Sequence, residues 1–251
     1  MVVILVESDK EKRAFLFELT SEAQSLMYNG KKEEALQCYD KILKKYPDDV
    51  HFFYRKGMVH YEFEEFTESI KFFDIVLKKN PDDVDALYAK GTALSSLENH
   101  NDALTLFDKV LTIDPKMHLT WLAKGYTLLD LEKYDDALSS FEGAEKLGYR
   151  GDLLSGKGQA LRKLGKIEEA KSHFNKAIEF DPYDFEALFG LGMIEYEETN
   201  LKEAQELLYR SVIQYDDNVE AWITLADIFK TNKDTERESV ARKKIKELQQ
   251  K

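Results

Sequence analysis

The hydrophobic positions of this chain recur on a grid of 34 residues. A small residue stands at Ala23, Gly57, Gly91, Gly125, Gly158, Gly192 and Ala226, each 34 after the last except for one step of 33 from Gly125 to Gly158. With that residue as origin, a large apolar side chain lies four before it: Leu19, Phe53, Leu87, Trp121, Leu154, Leu188 and Trp222. Twelve after it come Ala35, Ser69, Ala103, Ala137, Ala170 and Ala204, and sixteen after it Tyr39, Phe73, Phe107, Phe141, Phe174 and Leu208. Offsets −4, 0 and +3 share one helical face, as do +12, +16 and +19, so each repeat is predicted to be two amphipathic helices. The small columns let the two backbones approach and the aromatic fills the space beside them. A bulkier residue at Gly91 or Ala103 should overpack by about 1–3 kcal/mol.

The prolines punctuate the same text. Pro47, Pro81, Pro115 and Pro182 are separated by 34, 34 and 67 residues, one short of two repeats in the last interval. In NPDDVDAL, residues 80–87, the proline ends one helix while Asp82 and Asp83 offer capping oxygens to the next. The copies span 16–49, 50–83, 84–117, 118–150, 151–184, 185–218 and 219–251, after an N-terminal segment, 1–15, in which Ser8 or Asp9 can cap a first helix through Phe15, Leu19, Ala23 and Leu26. The last copy has Glu238 and Arg242 at +12 and +16, with Ala241, Ile245 and Leu248 three residues later. That shift predicts a slightly longer turn and a C-terminal capping helix kept wet by Arg242, Lys243, Lys244 and Lys246.

These columns resemble the tetratricopeptide repeat, across residues 16–251. The resemblance implies an all-α fold: a right-handed α-solenoid, or superhelix, of about seven helix-turn-helix units. Its first helices would line a concave groove, which across the family binds peptides, loops or helices of other proteins.

Composition narrows the partners. Acidic residues outnumber basic ones 48 to 36, for a net charge of −12, which repels a phosphate backbone and speaks against nucleic acid. Cys38 stands alone and no secretory signal of the usual length opens the chain, which fits a reducing, cytoplasmic location. The apolar run MVVILV, residues 1–6, is far shorter than the roughly 20 residues of a membrane span. It reads either as a loosely docked terminal segment or as a strip that pairs with a second chain.

Candidate chemistry is sparse. GYRGDLLSGKG, residues 148–158, contains the G-x-x-x-x-G-K of a phosphate loop, but Gly158 stands where magnesium needs Ser or Thr, and Lys157 falls in a periodic column with Lys56, Lys90 and Lys124. Those lysines are expected to lay their stems over helix packing and meet nearby carboxylates. The histidines show no i, i+4 pair, so neither a metal site nor a cofactor is expected; His60 reads as a core residue and Cys38 as a buried, inert thiol. The carboxylates fall on helix faces with no apolar pocket to raise a pKa. No acid/base pair, and hence no catalysis, is expected.

What remains is a second stripe on each first helix, at offsets −3, +1 and +4. It reads Tyr54, Met58 and Tyr61; then Tyr88 with Thr92 and Ser95; then Leu122, Tyr126 and Leu129; and Phe189, Met193 and Tyr196 in the sixth repeat. The fifth is polar: Ser155, Gln159 and Arg162. Neighbouring repeats should bury part of this stripe, leaving the rest as an adaptable binding surface. Around it Asp85, Asp152, Glu186 and Glu220 at −6, and Glu62, Asp130 and Glu197 at +5, form an acidic rim suited to a basic, amphipathic segment of a partner protein. Relatives that clamp the C-terminal carboxylate of chaperones place Lys at −3 and Asn at +1; neither occurs in those columns here, which speaks against that mode. The alternative is a self-assembling protein that forms homo-oligomers through residues 1–6 or an end of the array. The joint at 148–158, where Gly148 is expected to end one helix and Asp152 to cap the next, is the most irregular, and beside the polar stripe it is the expected anchor point of a ligand.

Overall fold

A computed structural model describes residues 8–250; the apolar strip at 1–6 lies outside them. Among the described residues there are fourteen helices and no strand: α1 (Asp9–Tyr28), α2 (Lys32–Lys45), α3 (Val50–Glu62), α4 (Phe66–Lys79), α5 (Val84–Ser96), α6 (His100–Ile113), α7 (His118–Asp130), α8 (Tyr134–Lys146), α9 (Leu153–Lys163), α10 (Ile167–Phe180), α11 (Phe185–Glu197), α12 (Leu201–Gln214), α13 (Val219–Thr231) and α14 (Thr235–Leu248). The chain divides into two compact units, Met1–Thr120 and Trp121–Lys251. In the first, α1 to α6 pack in order and α3 also meets α5; in the second, α8 to α14 do the same, with α9 on α11 and α11 on α13. No described helix is long and apolar enough to cross a membrane.

Both kinds of joint follow from local chemistry. Within a hairpin, the first helix closes with a left-handed residue at Gly30, Glu64, Glu98, Glu132, Gly165, Thr199 or Lys233. The amide after that residue reaches back to a carbonyl of the last turn, as from Lys31 to Leu26 and from Asn200 to Glu195. This closure satisfies carbonyls that the helix end would leave bare. Between hairpins, α2, α4, α6 and α10 end two residues before a proline. Side-chain caps open α3, α5, α11 and α13: Asp49, Asp83, Asp184 and Asn218 each accept an amide of the first turn. Of the two candidates at 82–83, Asp83 caps, while Asp82 pairs with Lys109 at 3.0 Å. At the N-terminus Ser8 caps α1 and closes a reciprocal box with Glu11.

The small and aromatic columns interlock as their spacing predicts. A Cβ at Gly91 would lie 2.6 Å from the Phe107 ring, and one at Gly158 would lie 2.5 Å from Phe174, so neither glycine can grow without moving a fully buried ring. Two rings of this column, Phe141 and Phe174, also need a second small residue, which the pattern analysis missed. A Cβ at Gly156 would meet Phe141 at 2.4 Å and one at Gly190 would meet Phe174 at 2.3 Å. Phe141 and Phe174 are therefore each held in a slot between their own repeat's anchor glycine and a glycine two before the next anchor, a position that is Ala89 or Ala123 in the earlier repeats. The lysine column behaves as expected: Lys56 reaches Asp40 at 2.7 Å, Lys90 reaches Asp74 at 2.6 Å, Lys157 reaches Glu145 at 2.6 Å, and Lys124 stands 5.8 Å over the Trp121 ring.

Two joints correct the sequence reading. Gly148 does end α8 with a left-handed residue, but the Asp152 side chain accepts no first-turn amide of α9, because its backbone is already right-handed helical. The connector 147–152 is longer than its counterparts and α9 is the shortest helix described, with 11 residues. In the last repeat the turn is not longer. Lys233 takes the usual left-handed position and α14 starts in register, with Ala241 fully buried and Glu238 turned partly inward to hold Arg242 at 2.7 Å. The inner face is recruited from 238, 241, 245 and 248, one residue off the usual aromatic position, and a polar end tolerates that thinner contact.

Candidate functional site

The phosphate-loop string is dissolved by the fold: Gly156, Lys157 and Gly158 lie inside α9, and the two glycines serve the phenylalanine slots. His60 likewise serves packing, stacked on Phe72 and bonded to Glu65 at 2.7 Å, and Cys38 is buried with its thiol pushed up by desolvation.

The stripe residues of the first unit are half-buried. Tyr54, Tyr61 and Tyr88 each lie against a phenylalanine ring, at 5.7, 5.3 and 6.2 Å from Phe73, Phe66 and Phe107, and Met58 lies between them on α3. Tyr54 also lines a recess of about 380 Å³ with His51, Arg55, Asp83 and Asp85. Burial raises the Tyr54 hydroxyl and the Asp85 charge adds to that, so it stays a neutral donor.

The second unit gathers more. Leu129, Gln159, Arg162 and Phe189, from α7, α9 and α11, line one open pocket of about 410 Å³. Phe185, the edge of Phe174 and the bare backbone of Gly190 complete its apolar wall, and Asp130, Glu132, Glu186 and Glu220 bring charge to it. Tyr126 lines the adjoining recess of about 440 Å³, which shares Phe185 and Glu186 with the first. Leu122 is half-buried on the same helix, and Tyr196 packs against the core around Leu225. Two stripe positions do not belong to the surface. Met193 is buried, with the Thr224 hydroxyl 3.5 Å from its sulfur, because α13 covers that side of α11; Ser155 is fully buried and bonds the Asp184 carboxylate.

Glu186 is the main correction. Sequence reasoning placed it on an exposed acidic rim and expected no pocket able to raise a carboxyl. In the structure it turns inward, accepting from Gln159 Nε2 at 3.0 Å, with Tyr126 Oη at 3.1 Å. Burial pushes its carboxyl up, the Tyr126 and Gln159 donors pull it partly back, and the charges of Asp184 and Asp152 raise it further, to about 7. Burial and the same carboxylates push the Tyr126 hydroxyl well above the ordinary phenol value. One signal could have found this group: the polar residue at +1 faces the −6 residue of the next repeat, so Gln159 in an otherwise apolar stripe marks Glu186, 27 residues on. Arg162 at +4 is similarly taken by Glu197 of the next repeat, at 2.6 Å.

Comparison with known proteins agrees with this construction. Family models described as tetratricopeptide repeat match residues 20–77 and 151–184, and a model described as anaphase-promoting complex, cyclosome, subunit 3 matches 65–144. RNA polymerase-associated protein CTR9 of Caenorhabditis elegans is 38% identical over 89 residues, which take in 34% of this chain and 8% of that protein. A tetratricopeptide repeat protein from Parabacteroides merdae superposes with a TM-score of 0.75 at 15% identity, over 94% of this chain and 93% of the other. The Cut9–Hcn1 hetero-tetramer of the APC/C gives 0.69 at 17% identity, over 92% of this chain and 46% of that one. Hairpins that interlock through these small and aromatic columns, matched by repeat models in both halves, place the chain in the tetratricopeptide repeat family.

Proposed function

We propose that this chain is a non-catalytic scaffold that holds a segment of a partner protein in the pocket of its second unit. The observation that carries the reading is the convergence of α7, α9, α11 and α13 on one open cavity, apolar at Leu129, Phe185 and Phe189 and charged at its margin. Such a mixture suits an apolar anchor flanked by polar contacts. The excess of carboxylates selects a basic, amphipathic segment. CTR9 is described as RNA polymerase-associated and Cut9 as part of a hetero-tetramer with Hcn1, which supports a scaffold without naming a partner here. Selection of a random displayed peptide library on the whole chain should enrich sequences that combine lysine or arginine with apolar residues. Phe189→Ala should weaken their binding at least about tenfold, the loss of one buried aromatic anchor. Peptides that bind the variant as tightly would sink the proposal.

Self-association is the second reading. Its support is α1, which leaves Phe17 74% and Tyr28 92% exposed on the first helix of the array. Light scattering that finds a monomer throughout the micromolar range would remove it.

A further inference from the structure

The Tyr126 hydroxyl lies 2.9 Å from the Asp152 carbonyl and 3.1 Å from Glu186 Oε2. A phenol has one hydrogen, and a carbonyl and a carboxylate are both acceptors. With Glu186 ionised, Tyr126 donates to Oε2, which is the contact that pulls the carboxyl down; with Glu186 protonated on Oε2, the carboxyl can donate to Tyr126 and the phenol hydrogen turns to the Asp152 carbonyl. Gln159 donates to the same Oε2, so Oε1 has no hydrogen-bond partner among the described residues. No lysine, arginine or histidine among them pairs with Glu186.

The charged and titratable groups that face it come from every neighbouring element. Asp130 lies at the end of α7 with Glu132 and Tyr134 beyond it, Asp152 precedes α9, Asp184 caps α11, and Glu220 stands on α13. The cations are Arg162, held by Glu197, and the exposed Lys163. The cavity is therefore short of positive charge, with apolar walls leading to one open carboxyl oxygen.

Building on the pocket reading above, we propose that this cavity is a socket for a lysine of an extended partner segment: the stem lies along Phe185 and Phe189, the ammonium seats on Glu186 Oε1, and the Glu186 proton leaves to solvent. A single open oxygen suits a point-charge ammonium better than a guanidinium fork, which uses two. The lysine stays charged throughout the neutral range, so the proton released is the carboxyl's. Only the ionised carboxylate accepts the cation, so apparent affinity follows the ionised fraction. With Glu186 titrating at about 7, capture at pH 8 is about tenfold tighter than at pH 6.

The test uses the whole chain and a short fluorescein-labelled peptide of alternating leucine and lysine, followed by anisotropy at pH 6 and pH 8. The wild-type chain should bind about tenfold more tightly at pH 8. Glu186→Gln, which copies the protonated carboxyl, should remove that difference and bind at least about tenfold more weakly at pH 8. The peptide with its lysines acetylated should not bind, and its arginine counterpart should bind more weakly. Calorimetry of the wild type at pH 7, in buffers of different ionisation enthalpy, should show about half a proton released per peptide. Equal affinity at both pH values, no proton release, or arginine binding as tightly as lysine overturns the socket, while weakening by Phe189→Ala would still leave the pocket reading standing. No binding at all, or binding indifferent to both Phe189→Ala and Glu186→Gln, overturns both.

Discussion

Glu186 and Glu195 both lie on α11 and titrate in opposite directions. Burial would raise each. Glu195 is only 6% exposed, but it is met by Lys171 at 2.8 Å and Asn200 at 2.7 Å, and these hold it below the ordinary value. Glu186 has hydroxyl and amide donors and no cation, so burial wins. The consequence for stability is specific. Between the ordinary carboxylate value of 4.5 and about 7, the folded chain keeps a proton that the unfolded chain releases, so unfolding becomes easier as pH rises through that window. Glu195 acts below it, adding stability above its unfolded value that is lost as pH falls. Compared with Glu186→Gln, the wild type should lose at most about 3 kcal/mol between pH 5 and pH 8, read from urea midpoints at several pH values. Curves that run parallel would show that Glu186 does not titrate there. Only part of this is visible in the sequence: Glu195 stands at +3, on the packing face, whereas Glu186 at −6 lies off that face and gives no sign of burial.

At the scale of the element, the hairpin turn is the unit most constrained by backbone chemistry. Each first helix closes through a left-handed residue, and five of these closures among the described residues use a side chain rather than glycine. Thr199, with φ of 66°, is the costliest, because its branched Cβ crowds the backbone there. Thr199→Gly should raise stability by about 1 kcal/mol, measured by thermal melting, since relief of that crowding exceeds the added freedom of the unfolded chain. A lower melting temperature would mean that the threonine side chain makes a compensating contact. Helix existence, the two faces and the proline-ended joints were legible, because each rests on chemistry within a few residues. The register of α14 was misread for the opposite reason. Ala241, Ile245 and Leu248 suggested a shifted helix, whereas the turn kept its length and the face itself moved.

For the whole molecule, burial is uneven within the second unit. α11 buries eight of its residues, with α9, α10, α12 and α13 around it, whereas α14 buries only Ala241. In a stack where each repeat contacts its neighbours, opening should begin at the poorly buried end. Hydrogen exchange should therefore find the slowest amides in α11 and the fastest helical amides in α14; equal protection along the unit would contradict this. The sequence alone determined the helical class, the 34-residue period, the family and the face that each first helix offers to neighbours, because spacing along a helix dictates direction. It also marked the fifth repeat, where Gln159 and Arg162 interrupt an apolar stripe. Only the tertiary structure decided that Met193 belongs to the core, that the phosphate-loop glycines make room for phenylalanine rings, and that Glu186 turns inward to Tyr126. Those outcomes depend on residues one or two repeats apart that meet across packed helices, and burial at such a meeting sets both the exposure of a side chain and the charge of a carboxyl.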